Sequence, residues 1–158
     1  MAKLNGLMLC VTGFVLMACA STQQKKEDQV YQGIRFAANQ NAAFVDDNTL
    51  YLLATGTSKP GLTGALQKAG TAKEAARQEA EQILYKHCMP QSAEYNNMLL
   101  AGGPTIFEQY QLRRKALWRG ATIQHSECPS TEQEIQTCRI LVRIVKKGLR
   151  HDCAKAQE

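Results

Sequence analysis

Apolar residues along the chain gather into a few segments of distinct period. The first, Leu7 through Met17, is a continuous apolar run preceded by Lys3; it is too short to cross a membrane and has the length of the hydrophobic part of a secretory leader. From Ser21 to about Asp47, Gln, Asn, Lys and Ala dominate. Residues 21–29 read as a linker. The scattered apolar positions Val30, Tyr31, Ile34, Phe36, Phe44 and Val45 fit a short helix and a short strand equally well, covering an edge of the domain. A β-favouring run, Thr49 to Thr55, predicts a first strand ended by Gly56.

Leu62 to Cys88 carries the strongest helical pattern. A first turn around Ala65 and Leu66, a break near Gly70 and then a long helix are expected, with Thr71 and Glu74 at capping-box spacing. Ala72, Ala76, Ala80, Ile83, Leu84 and His87 recur every three or four residues and share one face, and a stripe so rich in alanine lets a helix lie close on a sheet. Lys73, Glu74, Arg77, Gln78, Glu81 and Gln82 form the opposite, solvated side. Met89-Pro90 ends the helix, because a residue before proline is pushed out of helical geometry.

Residues 91–103 read as a loop with one apolar patch, Met98-Leu99-Leu100, and a turn at Gly102-Gly103-Pro104. Thr105 to Lys115 fits a second helix or an extended segment. Leu117–Gln124 reads as a strand, and Cys138 to about Lys146 as a stronger one, since Ile140, Val142 and Ile144 alternate with Arg139, Leu141, Arg143 and Val145. With the polar loop His125–Gln136 between them, these two form an antiparallel hairpin. Lys146-Lys147-Gly148 then turns the chain toward Cys153. The fold class expected is α+β: one long Ala-rich helix packed on a small antiparallel sheet and stapled by two disulfides.

The residues around position 19 set the chain's address. Leu16-Met17-Ala18-Cys19 resembles a bacterial lipobox, which implies that residues 1–18 are a signal peptide and that Cys19 is the lipidated first residue of the mature chain. Acyl chains contribute about 0.8 kcal/mol per buried methylene, so the two or three that such proteins carry hold them durably on a bilayer. By the same resemblance, Ala20 rather than Asp after the cysteine favours the outer membrane. Residues 19–47 then serve as lipidated Cys and tether, and 48–158 as one small domain.

Cysteine usage fits that compartment. Of six cysteines, Cys10 leaves with the leader and Cys19 takes lipid, so Cys88, Cys128, Cys138 and Cys153 remain as two disulfides. Three pairings are open. Cys128 with Cys138 is favoured because the two flank the polar loop of the hairpin, which leaves Cys88 with Cys153. Each of the three histidines lies near one of these cysteines, a set that suits zinc, but no CxxC pair is present and export oxidises thiolates, so disulfides are preferred and no metal is expected.

The formal charge of +5, about +4 once Lys3 is removed, is too mild to argue for nucleic acid. The loop Gly56 to Gly64 follows a strand and spaces Gly56 and Gly61 as a phosphate-binding loop does. Leu62, however, stands where that loop needs lysine, so the stretch reads as a flexible turn. Neither GxSxG nor HExxH occurs, Ser126 beside His125 is adjacency alone, and the acidic pairs suggest no acid–base site, so no catalytic residue and no cofactor beyond the lipid are expected.

Taken together, the lipobox, the strand ending in Ala54-Thr55-Gly56, the Ala72/Ala76/Ala80 helix and the hairpin with its Arg/Val/Ile-rich final strand resemble the LPP20-like group of envelope lipoproteins and the related N-terminal domains of flagellar ring-assembly proteins. The resemblance, over roughly residues 48–147, implies a non-enzymatic role in surface or flagellar-ring architecture, with the membrane and an envelope protein as partners. A binding module for an anionic polymer such as lipopolysaccharide or peptidoglycan is the alternative. It rests on Arg113, Arg114, Lys115, Arg143, Lys146 and Lys147 and requires them to converge on one face.

Overall fold

The computed structural model describes residues 27–89, 101, 103–129 and 135–155. The expected leader, Cys19, the Met98-Leu99-Leu100 patch and part of the 125–136 loop lie outside them. The described residues form six strands and three helices: β1 (Gln29–Tyr31), β2 (Ile34–Phe36), β3 (Ala42–Phe44), β4 (Thr49–Thr57), α1 (Ala65–Cys88), α2 (Gly103–Trp118), β5 (Thr122–Glu127), β6 (Thr137–Val145) and α3 (Leu149–Ala154).

The centre of the fold is the pairing of its two longest strands. β4 and β6 run antiparallel in register from Thr49 opposite Val145 to Thr57 opposite Thr137, with β3 and β5 on the outer edges in the order β3-β4-β6-β5. Side chains alternate along each strand, so Leu50, Leu52 and Ala54 join Ile140, Val142 and Ile144 on one face, all nearly inaccessible to solvent. α1 covers that face with its Ala72, Ala76, Ala80, Ile83 and Leu84 stripe. The stripe is small for a reason found on the strand beneath: a Cβ on Gly56 would strike the backbone of α1 at Ala72 and Ala76. Helix and strand touch main chain to main chain there.

Leu53 and Leu141 point to the opposite face, and they too are buried. A hairpin of β1 and β2 lies over them, bringing Tyr31 and Phe36 into a second core with Ile34, Ala43 and Tyr51 at its rim. The hairpin turns on Gln32 and Gly33, both at positive φ (49° and 78°), the geometry of the tight two-residue turn that matches strand twist. The molecule is thus α+β, with α1 on one side of a four-stranded antiparallel sheet and a two-stranded sheet on the other. Disulfide Cys88–Cys153 joins distant parts of the chain, and Cys128–Cys138 closes a short loop of it.

Several sequence expectations are corrected. The domain does not begin at residue 48: residues 29–44 are strands, and β3 pairs with β4 from Ala42 opposite Leu52 to Phe44 opposite Leu50. Gly56 does not end β4, which runs on to Thr57 and continues as a main-chain pair between Ser58 and Gln136. α1 starts at Ala65 and passes through Gly70 unbroken, so Thr71 sits inside the helix, its hydroxyl donating to the carbonyls of Gln67 and Lys68, while Glu74 pairs with Arg77 instead of capping. Packing of the following alanines outweighs the roughly 1 kcal/mol that an interior glycine costs. Leu117 belongs to α2, not to a strand: Tyr110, Arg114, Leu117 and Trp118 fall at helical spacing against the core, and β5 begins only at Thr122. His125 is correspondingly on a strand and not in a loop.

Candidate functional site

A cleft of about 390 Å³ opens where α2, the end of β6 and α3 meet, lined by Arg113, Ala116, Leu117, Lys146, Asp152 and Lys155. Each wall has a local cause. Tyr110, Arg114, Leu117 and Trp118 hold α2 to the core, which leaves Arg113 and Ala116 on the flank beside the cleft. The turn after β6 is tied to Asn48, whose carbonyl accepts from the Lys146 amide (2.8 Å) and whose side-chain oxygen accepts from the Gly148 amide (2.7 Å). α3 is only six residues long and is fixed by burial of Leu149 and Cys153, the latter bonded to Cys88 at the end of α1. Lys146 and Asp152 therefore meet across the turn at 3.0 Å, and Lys155 follows one helical turn beyond His151.

Electrostatically the cleft is unbalanced. Among the described residues Asp152 is the one carboxylate lining it and is engaged by Lys146, while neither the Arg113 nor the Lys155 side chain has a partner among them. Both members of the Lys146–Asp152 pair are about two-fifths exposed, so solvent screens the pair and its contribution to stability is small, about 0–1 kcal/mol.

The six basic residues singled out in the sequence do not converge. Arg113 and Lys146 share the cleft. Arg114 lies over the Tyr85 ring at 4.1 Å and near Tyr110 at 5.8 Å, fastening α2 to α1 by cation–π contact. Lys115 is exposed beside Glu108, Gln111 and Leu112 in a neighbouring shallow depression. Arg143 alternates with Val142 and Ile144 and so faces the other side of the sheet, with a buried Nε that has no partner. Lys147 is exposed in the turn. The corrected cleft set adds Asp152 and Lys155, which sequence reasoning missed by treating the tail as featureless. Leu149 and Cys153, four apart before a lysine, were the available sign of a helical turn.

A second polar group gathers under the β1–β2 hairpin. The His125 ring nitrogen lies 3.3 Å from the Gln32 amide and 3.2 Å from the Glu127 carboxylate, and its ring meets Tyr31 edge-on at 5.9 Å. Arg139 stands over Tyr31 from the neighbouring strand at 5.6 Å. Burial, then the nearby Glu127, pushes the Tyr31 phenol up from its ordinary 10.0. These contacts bridge the hairpin to β5.

The four described cysteines, Cys88, Cys128, Cys138 and Cys153, are all paired, so none of them offers a thiolate for zinc or for nucleophilic attack, and no group of three His, Cys, Asp or Glu suited to a metal occurs among the described residues. The loop resembling a phosphate cradle is no such thing, because Gly56 lies under α1 within β4. Among the described residues no helix is long and apolar enough to cross a membrane.

Fold and site together define a disulfide-stapled α+β domain with a basic cleft at one end of its sheet. No family model, curated protein or solved structure matches the chain.

Proposed function

We propose that the chain is an exported lipoprotein, held in the outer membrane through acylated Cys19, whose domain acts as a non-enzymatic docking or assembly component of the cell envelope. The observation that carries the reading is the pairing of all four downstream cysteines, a state that reducing cytosol does not sustain and the periplasm does. The start of β1 adds to it. Only about ten residues separate Cys19 from Gln29, a span of at most about 35 Å, so the domain works close to the bilayer. The resemblance to LPP20-like lipoproteins makes surface or flagellar-ring architecture the setting.

Intact mass spectrometry of the protein purified from membranes without reductant tests this. Two disulfides and an acyl mass on Cys19, both acyl mass and membrane retention being lost in Cys19→Ser, are expected, together with a defined envelope protein in a crosslinked pull-down. Recovery from the cytosol with four free thiols sinks the proposal.

The anionic-polymer alternative does not stand on its six residues, which do not converge; a narrower form of it is favoured by one observation, that Arg113 and Lys146 share a cleft with Lys155. Salt-sensitive cosedimentation with lipopolysaccharide or peptidoglycan is its expected result; retention that is absent at low salt counts against it.

A further inference from the structure

We infer that the cleft between α2 and α3 is a phosphate-binding site, and that the Cys88–Cys153 disulfide holds its far wall in place. The inference rests on the anionic-polymer reading and deepens it, by naming the group recognised, the residues that hold it and the bond that positions them. Arg113, Lys146 and Lys155 line one concavity with Leu117 buried at its base. Three cations lining one cleft repel one another, and Asp152 offsets only Lys146. A phosphoryl group supplies the missing charge. Its oxygens accept paired hydrogen bonds from the planar Arg113 guanidinium and a point contact from the Lys155 ammonium, the division of labour that distinguishes these side chains.

Asp152 acts against the ligand. Its carboxylate stands on the cleft wall and neutralises Lys146, so its removal both lifts a repulsion and frees a donor. Asp152 and Lys155 reach the cleft only because α3 is held: six residues are too few for a helix to persist by itself in water, and α3 rests on Leu149 and on the bond from Cys153 to Cys88. Opening that bond frays the wall carrying Lys155 and leaves Arg113, on α2, where it was.

The test uses the mature, acylated chain in nonionic detergent with both disulfides intact, titrated with inorganic pyrophosphate by calorimetry. Arg113→Ala and Lys155→Ala are each expected to weaken binding about tenfold, and Asp152→Asn to strengthen it several-fold. Lys73→Ala, on the solvent side of α1, leaves it unchanged. The Cys88→Ser/Cys153→Ser pair, which loosens Lys155 and Asp152 together, weakens binding by less than Lys155→Ala does, whereas Cys128→Ser/Cys138→Ser leaves it unchanged. Mixed micelles of phosphatidylglycerol against phosphatidylcholine separate the sources: tighter binding to the former than to pyrophosphate assigns the site to a lipid headgroup, and the reverse order to a free phosphate. Salt-sensitive binding of lipopolysaccharide that is indifferent to Arg113, Asp152 and Lys155 overturns the cleft and leaves the polymer reading standing. No binding of any of these anions overturns both.

Discussion

At Gly56 a single hydrogen in place of a side chain sets the distance between helix and sheet. A Cβ there would meet the Ala72 carbonyl oxygen, the Ala76 amide nitrogen and, at 2.6 Å, the Ala75 carbonyl carbon, all of them backbone atoms that cannot rotate away. Gly56→Ala is therefore expected to lower the unfolding free energy by about 3 kcal/mol, read as a shift of the urea midpoint at unchanged slope. Gly70 supplies the opposite sign. It lies inside α1 with nothing within 4 Å of a built Cβ, so Gly70→Ala should stabilise by up to about 1 kcal/mol. His87, half-buried near the end of α1, titrates below its ordinary 6.5 because burial disfavours the imidazolium. The unfolded chain then binds the proton more readily than the folded one. Stability is full above about pH 6.5, declines as pH falls through the window below it, and levels once the folded-state pKa is passed. Denaturation midpoints recorded across that range should show this decline in the wild type and a flatter course in His87→Gln.

Among the elements, α3 and the 125–136 connection depend most on covalent help. Cys88 and Cys153 are both buried, and their bond spans 65 residues, whereas Cys128 is only half-buried and its bond to Cys138 spans 10. Access decides the order of reduction, so graded dithiothreitol followed by alkylation and peptide mapping should label Cys128 and Cys138 first; simultaneous labelling of all four would contradict this. Loop length decides the stability ranking. On the chain-entropy model, deleting Cys88–Cys153 costs about 4 kcal/mol and deleting Cys128–Cys138 about 3 kcal/mol. The shorter bridge has further support. The buried Gln136 side chain donates at 3.1 Å to the carbonyls of both Cys128 and Pro129, and the Gln136 backbone amide donates to the Ser58 hydroxyl at 2.9 Å. The loop end therefore keeps part of its shape without the bond.

For the whole molecule, the main consequence is that the two central strands are covered on both faces. Phe36 is fully buried over Leu53 and Leu141, so Phe36→Ala should cost about 3–5 kcal/mol, as a core truncation does; a loss under about 0.5 kcal/mol, the mark of a surface site, would restore residues 29–44 to the tether. The sequence was ambiguous there because a hairpin with three-residue strands offers too few positions to separate a period of two from 3.6, and Gln32-Gly33 is a fainter turn signal than Asn-Gly. Long, regular segments were legible. The alternation of β6 and the alanine stripe of α1 extend over enough residues for their periods to be plain, and the flanking of a polar loop by Cys128 and Cys138 pointed to the pairing that the structure holds. The basic residues were legible as a list and not as a site. Arg143 and Lys146 are three apart in sequence, yet the first faces the hairpin side of the sheet and the second the α2–α3 cleft, while Lys155 joins Arg113 from the far end of the chain. By itself the sequence determined the α+β class, the long helix and the central strands and called for two disulfides with one pairing favoured, because local periodicity and residue chemistry are properties of short stretches. Only the tertiary structure decided that the early residues cap a second face, that Gly56 is a contact between backbones, and which charges meet, because each depends on long-range packing that no local pattern encodes.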